Sequence, residues 1–396
     1  MLTQARAKLR VNLMPTLSAI GPAAWNACAN PPGTTYNPFV SHEFLLALED
    51  SGSATMETGW APAHLTVDSD DDGLLGVMPV YVKSHSQGEY VFDHAFADAY
   101  ERAGGSYYPK LQVSVPFTPA TGRRLLTRPS PHEEQVRLAL AQGLIGLTKQ
   151  LEASSAHVTF LTKDEQDFLV GTKLGFLPRT DIQFHWENEG GWNTFDDFLG
   201  SLASRKRKAL KRERKDAVAE DIEIEWVTGN DVTEAHWDDF WVFYQDTGSR
   251  KWGSPYLTRD FFSRIGATMA KDILLVFARR GGKRIAGALN LIGGDTLFGR
   301  YWGCTEQHPF LHFELCYYQA VDFALSRGLK RVEAGAQGGH KLARGYRPAL
   351  TYSAHAFAHP GLARAVEDFL KHERRQILHA QAELNEEAPF RTPDQE

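Results

Sequence analysis

The chain has 396 residues, 42% of them hydrophobic and 23% charged, and carries a net charge of −6. This balance excludes global disorder, and the negative charge excludes a whole-molecule attraction to nucleic acid or anionic lipid, so any such affinity must come from a local patch. Three cysteines, Cys28, Cys304 and Cys316, exclude a disulfide framework and favour a reducing compartment, so a cytoplasmic protein is expected.

The length exceeds what one hydrophobic core usually serves, so two domains of about 150 to 200 residues are expected. Residues 1–20 have scattered basic residues but no continuous apolar run, and no later segment offers about 18 uninterrupted apolar residues, so neither secretion nor a membrane span is predicted. Along the first half, "NPFVSHEFLLALEDSG" (37–52) reads as a Ser-capped amphipathic helix. "GLLGVMPVYVKS" (73–84) and "GEYVFDHAFADAY" (88–100) read as strands, followed by a Tyr-, Pro- and Gly-rich stretch over 101–131. At mid-chain, "SRKRKALKRERK" (204–215) carries eight basic residues against one acidic, Glu213. Leu199, Leu202, Ala203, Ala209 and Leu210 form a partly apolar strip there, so a helix with a basic face is predicted over 195–219.

The second half reads as a strand (222–227), helices (232–250 and 258–270), and three strands (273–279, 283–293, 296–302). A helix (309–327), a strand (330–335), a glycine-rich loop, a strand (350–358) and a helix (361–383) follow. Its runs "SPYLTRDFFSRIGATM" (254–269), "KRIAGALNLIGG" (283–294) and "DTLFGRYWGCTEQ" (295–307) parallel those at 37–52, 73–84 and 88–100. This suggests a tandem duplication. The expected division is a first domain over 1–194, a basic connecting helix over 195–220, a second domain over 221–383 and a frayed tail over 384–396. Helices between groups of strands imply an α/β fold built on a mixed sheet.

That order resembles the acyl-CoA N-acyltransferase fold of the GNAT superfamily, and a tandem pair with a basic helix in the middle resembles the FemAB-like aminoacyltransferases. The resemblance is carried by "VFDHAFADAYERAGGSYYPKLQVSVPFTPATGRRLL" (91–126), "FGRYWGCTEQHPFLHFELCYYQ" (298–319) and "EAGAQGGHKLARGYRP" (333–348). It implies a tandem pair of GNAT-like domains transferring an acyl or aminoacyl group to a small-molecule or peptide amine, with the site where the halves meet and mainly on the second. The donor would be acyl-CoA or aminoacyl-tRNA, with no tightly bound cofactor. One departure stands out. GNAT proteins hold the CoA pyrophosphate on an R/Q-x-x-G-x-G/A turn, and at that point this chain reads "GCTEQHPFLHFE".

Within that expectation, Glu314 lies in an apolar, aromatic helix start, where a carboxylate of raised pKa suits a general base; Glu333 is the alternative, helped by His312. His308, His312 and Cys316 recur every four residues, but the trio lacks a fourth ligand, so no metal is expected; Cys316 reads more readily as core than as a nucleophile. After the strand ending near Glu333, three glycines precede His340, Lys341, Arg344 and Arg347, a set of donors suited to an anionic or acyl oxygen. The loop lacks the G-x-x-x-x-G-K-[ST] pattern, which argues against a nucleotide cradle. Backbone N–H groups near 300–304 or 335–339 are the expected oxyanion donors. Strand alternation puts Arg300 and Trp302 on one face and Tyr301 on the other. Asp93, His94, Asp98, Tyr107, Tyr108 and Lys110 are expected to line an acceptor pocket. Arg205, Lys206, Arg207, Lys208, Lys211 and Arg212 form a phosphate- or RNA-binding face, with no interleaved aromatics to stack bases. A non-catalytic RNA- or phosphate-binding module is the competing reading, and metal-dependent hydrolysis through His308 and His312 a further one.

Overall fold

The computed structural model describes residues 8–251, 255–335 and 338–391, apart from the side chains of residues 247–251. The chain folds into two compact units, Met1–Asp181 with Thr351–Ile377, and Ile182–Leu350 with Leu378–Glu396. The division is not sequential. A strand and most of the last helix return to the first unit, and residues 195–220 belong to the second rather than standing apart as a connector.

The first unit has a four-stranded antiparallel sheet in the order Leu9–Met14, His64–Ser69, Gly73–Met78, Leu126–Thr127. Its other strands run in the order Trp60–Pro62, Val80–Lys83, Lys110–Val113, Ser155–Leu161, with residues 352–357 last. The strand expected over 73–84 is therefore two strands in two sheets. Pro79 lies at the break, where a residue without an N–H cannot continue a ladder. The strand expected over 88–100 is absent. The chain instead forms the helix His94–Arg102, because Phe96, Ala97 and Tyr100 fall on one helical face and pack with Tyr107, Leu362, Val366 and Leu370.

In the second unit the strand order is Glu223–Thr228, Ile273–Arg280, Lys283–Ile292, Thr296–Cys304, Arg331–Glu333, then the 185–187 end of Leu177–Glu187. Thr296–Phe298 pairs in parallel with Arg331–Glu333, and the other neighbours are antiparallel. Both faces of Ile273–Arg280 are covered, which is why it reads as an unbroken apolar run. Leu274, Val276 and Ala278 join the core with the helix Gln319–Ser326, while the Phe277 ring meets Phe243 of the helix Glu234–Lys251.

A common plan links the units. In the first, Lys110–Val113 and Ser155–Leu161 are parallel neighbours joined through the helix Glu133–Gln150. In the second, Thr296–Cys304 and Arg331–Glu333 are parallel neighbours joined through helical residues 311–326. The structural counterpart of 296–304 is thus 110–113 rather than 88–100.

The helix predicted over 195–219 is two helices, Phe195–Gly200 and Ser204–Ala217. Buried Leu202 sits at the break and bridges Phe390; Ala203 N–H bonds Pro389 O at 2.9 Å and Arg391 N–H bonds Ser201 O at 3.0 Å. The tail is therefore tied down to Arg391 instead of fraying, and residues 392–396 lie outside the described residues. No helix among the described residues is long and apolar enough to cross a membrane.

Candidate active cleft

The parallel ladder ends at Phe298 opposite Glu333, yet the strand Thr296–Cys304 runs six residues further along Lys283–Ile292. At the parting point that strand bulges. Leu289 pairs with Tyr301 and Asn290 with Gly299, leaving Arg300 as the extra residue. Above the gap, the helix after Thr296–Cys304 begins at Leu311, passes through a π-helical segment Glu314–Tyr318, and resumes as Gln319–Ser326. The π turn adds a residue to the helical repeat. The result is a cleft of about 390 Å³, its open mouth included, lined by Asn290, Arg300, Trp302, His312, Cys316 and Tyr317 among others.

Three expected site residues line it: Arg300, Trp302 and His312. Tyr301 borders the cleft too, but its ring packs on Tyr244 of the helix Glu234–Lys251, 5.1 Å between centres, on the face opposite Trp302 as alternation expects; the bulge instead brings the Arg300 guanidinium to the Tyr301 side, 5.1 Å from that ring centre. The Trp302 and His312 rings lie 5.1 Å apart, and the His312 ring is 5.5 Å from Tyr317. His340 stands behind Tyr317, with its Nε2 2.9 Å from the Tyr317 hydroxyl. Burial raises the Tyr317 pKa above the ordinary phenol value, so its hydroxyl stays protonated.

Glu314 and Glu333 do not line the cleft. Glu314 is buried and accepts from Arg214 Nη2 (2.9 Å) and Nε (3.2 Å) and from Gln319 Nε2 (2.7 Å), while Arg214 Nη2 also donates to Asp322 at 2.7 Å. Burial raises the Glu314 pKa, as expected of its apolar surroundings, with Arg214 pulling the other way. Its oxygens are nonetheless engaged in holding a helix. Glu333 is buried at the end of its strand, 4.0 Å from His185 Nε2 and 4.0 Å from Arg331 Nη1, and its neighbour Ala334 reaches the lining.

The glycine-rich loop forms the 3₁₀ turn Gly339–Arg344. Residues 336 and 337 lie outside the described residues, so of the backbone donors expected over 335–339 only those of 335, 338 and 339 are described. Lys341 is buried and donates to Gly335 O at 2.9 Å; burial pushes its pKa down to about 8. Arg344 is buried as well. It donates to His340 O (2.7 Å) and Glu213 (2.9 Å) and lies 3.4 Å from the Phe313 ring centre. Arg347 pairs with Glu189 at 3.4 Å. The loop's cations are thus structural holders of the turn more than open donors.

His308 does not join His312. It precedes the helix, ahead of left-handed Phe310 (φ 62°), and lies against Glu306 and Glu220 at 3.1 and 3.6 Å. Among the described residues no three His, Cys, Asp or Glu side chains gather as metal ligands would.

In the first unit, Asp93, Tyr108 and Lys110 do come together, but in the interior rather than around an open pocket. Lys110 Nζ donates to Glu89 (2.7 Å), Ser86 Oγ (2.8 Å) and Asp93. Tyr107 OH donates to Asp93 at 2.8 Å, and the Tyr108 and Ser86 hydroxyls meet at 2.8 Å. Burial drives Glu89 up to about 7 and Lys83 down to about 7. For Lys110 the two carboxylates outweigh burial and raise its pKa; for Asp93, Lys110 outweighs burial and lowers it. Beyond Tyr107 lie His157 and His355, their Nδ1 atoms 2.7 Å apart. His94 and Asp98 are exposed and take no part in the cluster. The basic face is as expected: Arg205, Lys206, Lys208, Lys211 and Arg212 are exposed and Arg207 is partly so.

Sequence reasoning missed Asn290, Tyr317, Lys83, Glu89, His157 and His355. Asn290 is the one polar residue in "IAGALNLI", and polar residues at every second position of "VYVK", "KLQV" and "SAHVTF" mark a polar sheet face.

Several solved structures are similar to this chain. A crystal structure of FemX aligns over 90% of this chain and 100% of its own at 12% identity, with a TM-score of 0.53. The structure of L-PGS from Bacillus licheniformis aligns over 86% and 98% at 9% identity (TM-score 0.49). A tandem GNAT protein from the clavulanic acid biosynthesis pathway aligns over 89% and 99% at 10% identity (TM-score 0.46). A sequence comparison with curated proteins gives no match. The mixed α/β fold is thus that of FemX. The FemAB-like pattern, described as peptidoglycan biosynthesis/recognition, runs through residues 16–392, and the chain belongs to that family.

Proposed function

We propose that the protein is an N-acyltransferase whose reaction centre is the cleft opened where the parallel strands part. The observation that carries this reading is the convergence of His312, Tyr317, Arg300 and Trp302 on that gap. It offers a base, a neutral hydroxyl donor, a cation and an aromatic wall around space for an extended acyl chain. Family membership supports acyl or aminoacyl transfer in general.

In this reading an amine arrives neutral and its nitrogen attacks the carbonyl carbon of a thioester or ester. The base role expected of Glu314 or Glu333 passes to His312, whose ring borders the cleft and takes the nitrogen proton. His340, as its Nε2–H tautomer, donates to the Tyr317 oxygen, and the Tyr317 hydrogen turns to the developing oxyanion. The carbon–sulfur or carbon–oxygen bond then breaks, the leaving group takes the proton from His312, and the amide departs. Arg300 holds an anionic part of the donor and Trp302 packs against it. Glu314 acts from outside, fixing the π turn that presents Cys316 and Tyr317.

Acyl-CoA and aminoacyl-tRNA are the two donor classes, a small amine or peptide is the acceptor, and the cytoplasm is the proposed location. The experiment is a screen of acyl-CoA thioesters and aminoacylated tRNAs against amine acceptors, with product mass as the readout. His312→Gln should lose about 10²-fold or more in turnover and Tyr317→Phe a smaller factor. Full turnover in both variants would remove the reaction from this cleft, and sensitivity to RNase selects the tRNA donor. The exposed cations of Ser204–Ala217 favour a second reading, a phosphate- or RNA-binding module without catalysis. That reading gains if charge removal there abolishes RNA binding while no donor in the screen is consumed.

A further inference from the structure

In the basic run, the one acidic residue and the cation beside it do not face solvent as their neighbours do. Glu213 accepts from Arg344 Nη2 at 2.9 Å and from the Tyr318 hydroxyl. Arg214, about 100° further round the helix, binds Glu314 at the start of the π turn and Asp322 beyond it. The inner edge of Ser204–Ala217 is thus bonded both to the π turn, which lines the cleft, and to the turn that carries His340.

We infer that Glu213 is the positioning residue for His340. The path is short and every link is a hydrogen bond. Glu213 fixes the Arg344 guanidinium; Arg344 Nη1 donates to the His340 carbonyl at 2.7 Å; the His340 ring reaches the Tyr317 hydroxyl at 2.9 Å. The same carboxylate holds Tyr318, the residue next to Tyr317, so it sets both sides of the His340–Tyr317 contact. Arg344 is 7% exposed, and Glu213 is its sole ion-pair partner among the described residues. Removing that charge leaves a buried cation uncompensated, and the turn it closes must open to hydrate it. His340 itself is exposed, so its chemistry can be followed directly.

The inference rests on the proposed reaction only for its effect on turnover, so the test begins with a readout that needs no substrate. The rate of His340 modification by diethyl pyrocarbonate is measured by peptide mass spectrometry, with exposed His359 of the other unit as internal control. Glu213→Gln should raise the His340 rate by about tenfold, the scale of losing one charged hydrogen bond, with His359 unchanged. Glu213→Asp, which keeps the charge, should recover much of the native rate. Tyr318→Phe, which removes one of the two partners without disturbing charge, should shift the rate in the same direction by less. An unchanged His340 rate in Glu213→Gln, or an equal rise at His359, would overturn the inference. Once a donor and acceptor are in hand, Glu213→Gln should lower kcat with little change in KM. A changed labelling rate with unchanged turnover would leave the positioning role standing and count against the reaction assigned to the cleft.

Discussion

Glu314→Gln separates a structural carboxylate from a catalytic one. In the native chain Glu314 is buried and makes a two-point contact with Arg214 and a third with Gln319. Both pKa values are raised, which favours the charge on Arg214 and disfavours it on Glu314. Burial works against the Arg214 charge but Glu314 and Asp322 outweigh it, whereas burial raises Glu314 more than Arg214 and Gln319 lower it. The bidentate geometry decides in favour of the ion pair. Removing one partner of a buried pair costs about 3–5 kcal/mol, and because Arg214 keeps Asp322 at 2.7 Å and is 24% exposed, the substitution should cost about 2 kcal/mol. Hydrogen exchange of the amides in Gln319–Ser326 reads that loss locally, without assuming that two units unfold as one. Turnover per folded molecule should stay within a few-fold of native. Unchanged exchange combined with about a 10²-fold fall in turnover would return Glu314 to the role of base and refute the reasoning.

Other outcomes can be checked in parallel. Burial holds the pKa of His157 down at about 3 and that of His355 well below its ordinary 6.5, so the unfolded state binds more protons between those values. Their contribution to the first unit's stability is present above about pH 6.5 and is lost as pH falls toward the folded values, visible as a falling urea midpoint that His157→Asn flattens. Lys110→Met leaves Glu89 and Asp93 facing each other in the interior and should cost about 3–5 kcal/mol, read as loss of the first unit's exchange protection. Gly303→Ala would put a methyl group 1.9 Å from the Phe243 carbonyl oxygen and should fail to fold natively, whereas Gly146→Ala, on a helix with nothing within 4 Å, should gain about 0.4–1 kcal/mol in thermal unfolding. Replacing Lys206, Lys208 and Arg212 by Gln should weaken retention on a polyanion column and reduce its salt dependence, leaving the fold unchanged by circular dichroism.

Much of the second unit was legible because its segments are long and periodic. The strands over 273–304 and the helices at 234–251 and 259–269 fall within a few residues of expectation. The first unit was harder to read. Pro79 splits one apolar run into strands of two sheets, and "DHAFADAY" alternates well enough to pass as a strand although its apolar residues also share a helical face. At the cleft, Arg300, Trp302 and His312 were found from residue type and placement. Tyr301 and Trp302 do face opposite ways, but the bulge that turns Arg300 toward Tyr301 cannot be read from alternation. Glu314 shows the limit of reasoning from burial alone: the sequence signals a costly carboxylate but not its partner, Arg214, a hundred positions away. The exposed face of the basic run was predicted correctly, yet the inward pair Glu213 and Arg214 was hidden inside it, since a charge run carries no mark of which members meet another chain segment.

The π segment at Glu314–Tyr318 gives the helix a phase break. A regular α-helix through 311–326 would keep one stripe toward the sheet along its whole length. The additional residue rotates the downstream stripe by about 100° relative to the upstream one. His312, Cys316 and Tyr317 can therefore look into the cleft while Ala320, Val321 and Ala324 meet the core. The helix behaves as a vernier between chemistry and packing, and its setting is counted in residues rather than in side chains. Excising one residue from this turn would force a choice, keeping the core contacts and swinging the cleft residues away or the reverse, without altering the identity of any residue left on either face.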